Sequence, residues 1–194
     1  MSTVPWPEPI FKLSVDQYHA MIDAGTLTDE DPVELLEGVL VYKMPKNEPH
    51  IVASRRSSRV LRQQMTEGYF VDSQNPITLA DGEPEPDLMI VRGDEADPHV
   101  GKPFASDVAL VIEISDATLH RDRTLKLRSY ARAGVRVYWI INLIDRVVGV
   151  HADPTTETPE PTYRQRQVFD VTASVPLELD GRVVAQIPVI DLLP

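Results

Sequence analysis

The chain has 194 residues and a mass of 21.7 kDa, a length that suits one domain over residues 1–194 with a substantial core. It contains no cysteine, which excludes disulfides, thiolate nucleophiles and cysteine-bound zinc. The five scattered histidines form no paired metal site, so any metal must be held by oxygen. No apolar run approaches the roughly 18 residues of a membrane span, and the N-terminus lacks a leader pattern. These features predict a cytoplasmic protein without a membrane partner.

The formal net charge of −11 argues against nucleic acid as a partner, because phosphate binding usually leaves a basic footprint. Two segments, residues 46–62 and 121–136, nevertheless concentrate basic side chains, and together they predict one local anion-binding face. Solvated helix surfaces are an alternative interpretation of the same charges. The basic residues are Lys46, Arg55, Arg56, Arg59 and Arg62 in the first segment, and Arg121, Arg123, Lys126, Arg128, Arg132 and Arg136 in the second.

The first half of the chain predicts two helices and a strand. Ser14 followed by Gln17 is a capping-box pattern, and with Gly25 it predicts a helix over residues 15–24. The β-rich run from Val39 to Tyr42 predicts a strand. Pro49 suits the first turn of a second helix that runs to about Gly68. That helix carries Arg55, Arg59 and Arg62 on one side, which makes them candidate nucleic-acid contacts.

The second half predicts alternating strands and a helix. Two strands flank the Asp81–Gly82 turn, the second running from Asp87 to Arg92, and a loop covers residues 93–107. A buried strand from Val108, a helix over residues 119–133 and an apolar strand over 135–143 follow. Three more strands are predicted within 146–152, 163–171 and 183–189, with an exposed, mobile loop at 153–162. The class is therefore α/β, a mixed sheet flanked by helices, with additional C-terminal strands.

Glu113 interrupts the apolar run from Val108 to Ile114, which is typical of a strand covered on both faces. An unpaired carboxylate buried there costs several kcal/mol, so Glu113 must be protonated, paired or bound to a cation. Asp87 begins the neighbouring predicted strand directly after Pro86, and Lys126 lies on the following helix. Two carboxylates with a lysine predict a Mg²⁺ (or Mn²⁺) site for phosphoryl chemistry, since Mg²⁺ prefers oxygen ligands.

The chain resembles the Uma-two family of restriction-endonuclease-like proteins, within the PD-(D/E)XK nuclease superfamily. The resemblance spans residues 10–152 and rests on "VELLEGVLV", "EPEPDLMIV" and "ALVIEISDATLHRDRTLKLRSYARAGVRVYWII". It implies a restriction-endonuclease-like fold and a metal-dependent endonuclease acting on DNA. Cleavage of both DNA strands needs two sites, and the resemblance also points to a homodimer.

The resemblance assigns roles residue by residue. Asp87 and Glu113 match the catalytic metal-binding acids of the superfamily, and Ile114 matches the residue that lends its backbone carbonyl to the metal. The catalytic lysine of the superfamily stands two residues after the second acid, where this chain has Ser115. In the Uma-two pattern the following helix supplies the lysine, which is Lys126 here. Glu34 and His50 match further family positions, and Glu34 is a candidate additional metal ligand.

Less specific interpretations remain open for each residue. Asp87 also fits an acid that begins a strand, Glu113 a paired structural glutamate or an exposed edge position, and His50 or His120 a surface or capping residue. Lys126 also fits a helix-surface ion pair with Asp122, four residues earlier. At the level of function, the alternative is a non-catalytic module that retains the nuclease fold to bind nucleic acid or protein.

Overall fold

The structure, a computed structural model, describes residues 9–28, 30–96 and 102–194. Its strands are β1 (Val33–Leu36), β2 (Val39–Tyr42), β3 (Tyr69–Asp72), β4 (Leu88–Arg92), β5 (Val108–Ser115), β6 (Val137–Asn142), β7 (Val147–Pro154), β8 (Tyr163–Phe169), β9 (Ser174–Leu179) and β10 (Arg182–Pro188). The helices are α1 (Val15–Asp23), α2 (Glu48–Gln64), α3 (Leu119–Arg121), α4 (Leu127–Arg132) and α5 (Val189–Leu192). A π-helical segment, Asp122–Lys126, joins α3 to α4. A 3₁₀ turn at Ala105–Asp107 precedes β5.

A six-stranded mixed sheet organises the fold, in the order β3-β4-β5-β6-β7-β8. In this sheet, as far as the structure describes it, only β5 and β6 pair in parallel, with Glu113 opposite Ile140, and the helical connection 119–132 joins them. The other neighbours in the sheet are antiparallel. β1 with β2 and β9 with β10 form separate antiparallel hairpins. The predicted α/β class, a mixed sheet flanked by helices with extra C-terminal strands, is confirmed.

Each face of the sheet has its own apolar core. One face packs against α2, the β9–β10 hairpin and α5, through residues such as Leu61, Ile112 and Leu177. The other face packs against α4, where Tyr130 and Tyr138 are fully buried with their rings 5.1 Å apart. Because both faces are covered, β5 is buried along its whole length, as its near-continuous apolar run predicts.

The helix boundaries follow local chemistry. Ser14 caps α1 through its hydroxyl and Gln17 bonds back to the Ser14 backbone, so the predicted capping box is present. Asn47 caps α2, which ends at Gln64 rather than near Gly68 because Met65 turns to an extended conformation. Gly134, with a φ of +77°, ends α4 in the left-handed region that glycine tolerates. Among the described residues, no helix combines the length and apolar character that crossing a membrane requires.

The sequence-based strand predictions are incomplete in two places. They miss β1 and β9, because Val33–Leu36 is short and Pro176 interrupts β9. β3 and β4 do pair, but their connection is a long excursion in which Gly82 contacts β1 rather than a tight turn at Asp81–Gly82. Residues 97–101 of the predicted 93–107 loop, which include His99, lie outside the described residues. Most of 155–162 is exposed, as predicted for that loop.

Candidate active site

Asp87 lies one residue before β4 and is 7% exposed. Leu88 pairs with Ile112, so the antiparallel register carries Asp87 to a position opposite Glu113. The Asp87 Oδ2 atom accepts a hydrogen bond from the backbone N–H of Ile114 at 2.9 Å and lies 3.0 Å from Nε2 of His50. Burial by itself raises the pKa of Asp87, but His50, Lys46 and the Ile114 N–H outweigh it and hold that pKa below its usual value.

Glu113 projects from the buried centre of β5 and is 3% exposed. Its Oε1 atom accepts hydrogen bonds from Nζ of Lys126 at 2.9 Å and from the Tyr130 hydroxyl at 2.8 Å. Burial raises the pKa of Glu113 to about 8, with Lys126 opposing the shift and the nearby acids adding to it. The buried ammonium and the phenol thus satisfy one oxygen of Glu113 within the apolar strand, but they do not fully offset the cost of burying its charge.

Lys126 is buried at the end of the π-helical segment and contacts two acids from different parts of the chain. Its Nζ atom lies 2.9 Å from Glu113 Oε1 and 3.3 Å from Glu34 Oε2. Burial alone lowers the pKa of Lys126, but the carboxylates of Glu113, Glu34 and Asp122 raise it above its usual value. Lys126 therefore stays an ammonium at neutral pH, in direct contact with the second acid.

The helix-surface interpretation of Lys126 is wrong. Asp122 is buried, and its Oδ2 atom accepts hydrogen bonds from the hydroxyls of Ser115 at 2.7 Å and Thr118 at 2.6 Å. Among the described residues, no ion pair within 4.0 Å joins Asp122 to Lys126. Ser115, which occupies the usual lysine position of the superfamily, instead ties β5 to the segment that carries Lys126. π-Helical turns are frequent at functional sites.

Glu34 reaches the same site from β1. It is 2% exposed, and its Oε2 atom accepts a hydrogen bond from the backbone N–H of Glu85 at 3.1 Å. Arg121 approaches its other oxygen at 3.5 Å and also donates to the carbonyl of Tyr42. The structure therefore brings the additional candidate Glu34 beside Lys126, with β1 positioned by its pairing with β2.

These side chains line one cavity of about 270 Å³. The cavity opens between the start of α2, the start of β4 and the α3–α4 connection, and its lining includes Glu34, Asp87, Glu113, Lys126 and His50. The lining also carries basic groups, among them Lys46, whose Nζ atom lies 3.1 Å from Asp87 Oδ1. The cavity therefore combines buried acids with cations that neutralise them.

The cavity carries oxygen donors of the kind that a hard divalent cation prefers. Among the described residues, no three His, Asp or Glu side chains lie close enough to hold a metal ion as they stand. The Glu113 Oε2 atom has no hydrogen-bond partner within the described part of the chain, although the side chain is almost fully buried. The N–H of Ile114 donates to Asp87, and the C=O of a strand residue faces the same side as its N–H. The Ile114 carbonyl therefore faces the side of β5 on which Asp87 lies, next to Glu113. The chemistry of the donor set thus suits Mg²⁺ or Mn²⁺.

Three residues have a larger part in the site than the sequence indicates. The interpretation of His50 as a surface or capping residue is wrong, because it is buried against Asp87, and its Nδ1 atom has no partner in the described chain. The sequence indicates Lys46 only as part of a basic segment, and it indicates no role for Tyr130. Sequence spacing could have pointed to two of them. His50 lies in the first turn of α2, directly after the Asn47 cap, and Tyr130 follows Lys126 by one helical turn.

The predicted nucleic-acid contacts Arg55, Arg59 and Arg62 do not line the cavity. They border a separate open groove of about 640 Å³ along α2, with Ser54, Ser58 and Gln63. Gln74 lines both the groove and the cavity, so the two depressions are neighbours. Arg62 also approaches exposed Glu95 at 3.4 Å, a weak contact. The structure thus places the arginines beside the candidate active site but not in it.

One acid on β5, one acid just before β4 and a lysine thus lie around one cleft of a mixed α/β sheet. The Uma2 family, described as "Putative restriction endonuclease", matches residues 15–187, and the chain belongs to this family. A crystal structure from Anabaena variabilis ATCC 29413, described as "a putative nuclease belonging to DUF820", is similar with a TM-score of 0.69. At 16% identity, over 93% of this chain and 97% of that chain, this likeness shows the fold alone. Comparison with curated proteins finds no match.

Proposed function

We propose that the protein is a Mg²⁺- or Mn²⁺-dependent endonuclease that hydrolyses phosphodiester bonds in DNA. The observation that supports this most directly is the meeting of Asp87, Glu113 and the ammonium of Lys126 at one buried cavity edge. Membership of the Uma2 family supports the same proposal. A structural ion pair alone leaves unexplained why Asp87, Glu113 and Lys126 face a cavity instead of filling it.

In this proposal Asp87, Glu113 and the Ile114 carbonyl hold the ion, with Glu34 as a further candidate. A bound divalent ion acidifies water and neutralises charge on a phosphoryl group under attack. His50 orients the Asp87 carboxylate through its 3.0 Å contact. Lys126 stabilises the negative charge that develops on the phosphate oxygens, because its ammonium is fixed and poorly solvated.

The arginine groove is proposed to guide the DNA backbone towards the cavity. With a net charge of −11, the protein repels polyanions at a distance, so attraction must come from a local surface. Arg55, Arg59 and Arg62 supply that surface next to Gln74, the residue shared with the cavity. Cleavage of both strands requires two sites, so a homodimer is part of the proposal, and sedimentation velocity with and without DNA tests it.

The function is tested by cleavage of plasmid DNA, linear duplex and RNA, with Mg²⁺, with Mn²⁺ and with EDTA. Asp87→Asn and Glu113→Gln keep the size of each side chain but remove charge, so both are expected to abolish metal-dependent cleavage. Asp153→Asn and Glu178→Gln make the same changes outside the cavity and are the matched controls. Circular dichroism verifies that all four variants are folded.

Calorimetry with Mn²⁺ separates the two candidate functions. A nuclease binds the ion through Asp87 and Glu113, so both site variants lose binding and cleavage together. Wild-type cleavage by Asp87→Asn or Glu113→Gln contradicts the assignment of the acids. DNA binding without metal binding or cleavage, under every ion, identifies the alternative, a non-catalytic module that retains the nuclease fold.

A further inference from the structure

A second cavity, of about 230 Å³, lies over strands β6, β7 and β8 and shares no lining residue with the candidate active site. Arg123 from the π-helical segment and Arg166 from β8 border it, with His151 and Gly149 from β7 between them. Nothing in the proposed nuclease mechanism uses these residues. The presence of two arginines in this second cavity therefore needs an explanation other than the nuclease mechanism.

Two buried polar residues line this cavity, His151 with 7% of its surface exposed and Asn142, whose amide donates a hydrogen bond to Asp145. Among the described residues, neither ring nitrogen has a hydrogen-bond partner, although the ring packs near Tyr138 and Tyr163. A methyl group added at Gly149 would lie 3.7 Å from His151 Nε2. Nε2 therefore points along β7 over the space that the missing side chain of Gly149 leaves open, which is part of the cavity.

The two arginines converge on this imidazole. Arg166 is directly opposite His151 in the β7–β8 register, which places both side chains on the same face of the sheet. Arg166 makes no ion pair with any described residue, and Arg123 has only Asp145, at 3.7 Å. Burial lowers the pKa of His151 to about 4, and the charges of Arg166 and Arg123 add to the effect. The imidazole is therefore neutral at pH 7 and can donate one N–H.

We propose that this cavity binds a phosphate group, held by the guanidinium groups of Arg123 and Arg166 and by Nε2 of His151. Guanidinium groups match phosphate oxygens with paired hydrogen bonds, and the two arginines exceed the single carboxylate of Asp145 by one positive charge. The phosphate belongs either to a free phosphate or mononucleotide, or to a nucleic-acid strand that reaches this face. The proposal does not depend on nuclease activity.

The test is an NMR titration of the arginine side-chain Nε–H signals with inorganic phosphate, in EDTA at constant ionic strength. Wild-type protein is expected to show saturable shifts of Arg123 and Arg166. Arg166→Gln should weaken phosphate binding by about tenfold, the usual scale for one charge-assisted hydrogen bond. Gly149→Ala should also weaken binding, because its methyl group occupies the space in front of Nε2 while making only ordinary contacts.

Arg164→Gln is the matched control, because Arg164 lies on the same strand, is exposed and does not line the cavity. It is expected to bind phosphate as the wild type does. Absence of saturable shifts in the wild type, or equal weakening by Arg164→Gln and Arg166→Gln, overturns the proposal. All the arginine substitutions are at exposed positions, and thermal unfolding verifies that each variant is folded.

A second titration distinguishes the source of the phosphate. If a short oligonucleotide without a terminal phosphate shifts the same arginine signals and displaces inorganic phosphate, the ligand is a backbone phosphate of a nucleic-acid strand. If only inorganic phosphate and a mononucleotide do so, the ligand is a free phosphate group. Both results retain the site, and in each case Arg166→Gln should weaken the binding if the proposal is correct.

Discussion

The ammonium nitrogen of Lys46 lies 3.1 Å from Oδ1 of Asp87, on an acid that we propose as a metal ligand. Lys46 is more than a third exposed, whereas Asp87 is buried. The buried carboxylate is therefore paired with a side chain that solvent reaches and that can move away without opening the core. On this proposal, a divalent cation at Asp87 competes with the Lys46 ammonium for the same carboxylate oxygen.

Replacing Lys46 with Met is expected to tighten Mn²⁺ binding. The gain should be about two- to fivefold, because a partly exposed ion pair contributes at most about 1 kcal/mol. Isothermal titration calorimetry with Mn²⁺ measures the change in dissociation constant. Lys43→Met removes the same charge from the same cavity but breaks a contact with Glu85, so it serves as the control. Unchanged or weaker Mn²⁺ binding by Lys46→Met would show that the lysine does not compete with the ion.

Lys126→Met is expected to lower the cleavage rate by roughly 10²–10³, the scale for losing one group that stabilises developing charge. Metal binding should persist, because an ammonium is not a ligand. Lys126 also pairs with the buried acids Glu113 and Glu34, so the variant should lose stability by about 3 kcal/mol at pH 8. Single-turnover cleavage, calorimetry and urea denaturation measure the three effects separately.

The control for Lys126→Met is Arg136→Met, which also replaces one cationic side chain by methionine. Arg136 is exposed and lies outside both cavities, so this variant is expected to cleave at the wild-type rate. Cleavage at equal rates by wild type and Lys126→Met, with metal dependence retained in both, removes Lys126 from the mechanism.

Simultaneous replacement of Arg55, Arg59 and Arg62 by Gln is expected to weaken DNA binding and flatten its salt dependence. If all three contact phosphates, the slope of log K against log salt should fall by about 2.7, at roughly 0.9 per contact. Fluorescence anisotropy across a salt series measures it. The control replaces exposed Arg146, Arg164 and Arg182, which changes the net charge equally. Equal effects of both triple variants would mean that the arginine groove along α2 has no specific role in DNA binding.

Asp180 is expected to make stability depend on pH far from the active site. The guanidinium of Arg92 and the Tyr69 hydroxyl, 2.7 Å from Oδ2, lower the pKa of Asp180 to about 2. The unfolded carboxyl titrates near 3.9, so this stabilisation is complete above about pH 4 and is lost as pH falls through 2.

Asp180→Asn should therefore cost up to about 1 kcal/mol of unfolding free energy at pH 7, a value discounted for partial solvent exposure. Asn also tolerates the left-handed backbone at this position, where φ is 49°, so the comparison isolates the charge. Urea denaturation at several pH values measures the difference, which should shrink between pH 4 and pH 2. A difference that is independent of pH would contradict the role of the ion pair.

The local patterns of the chain were sufficient for much of the fold. The apolar run around Glu113, the capping box at Ser14 and the glycine after α4 each indicate an element through contacts within a few residues. The misfit of Glu113 in that run also indicated that a partner exists. The short strand β1 and the Pro-containing strand β9 carry weaker local signals, and their pairing depends on the hairpins they form.

The sequence alone predicted a strand covered on both faces and determined that a Glu113 buried in it needs a partner, because the apolar run and the cost of an isolated charge are properties of the local chain. Only the tertiary structure decided which partners it has. Lys126 contacts Glu113 and Glu34 instead of Asp122 because the π-helical segment and the Ser115–Asp122 hydrogen bond aim it at β5. His50 meets Asp87 across 37 residues of sequence. Such contacts depend on how separate elements pack, and no local pattern contains that information.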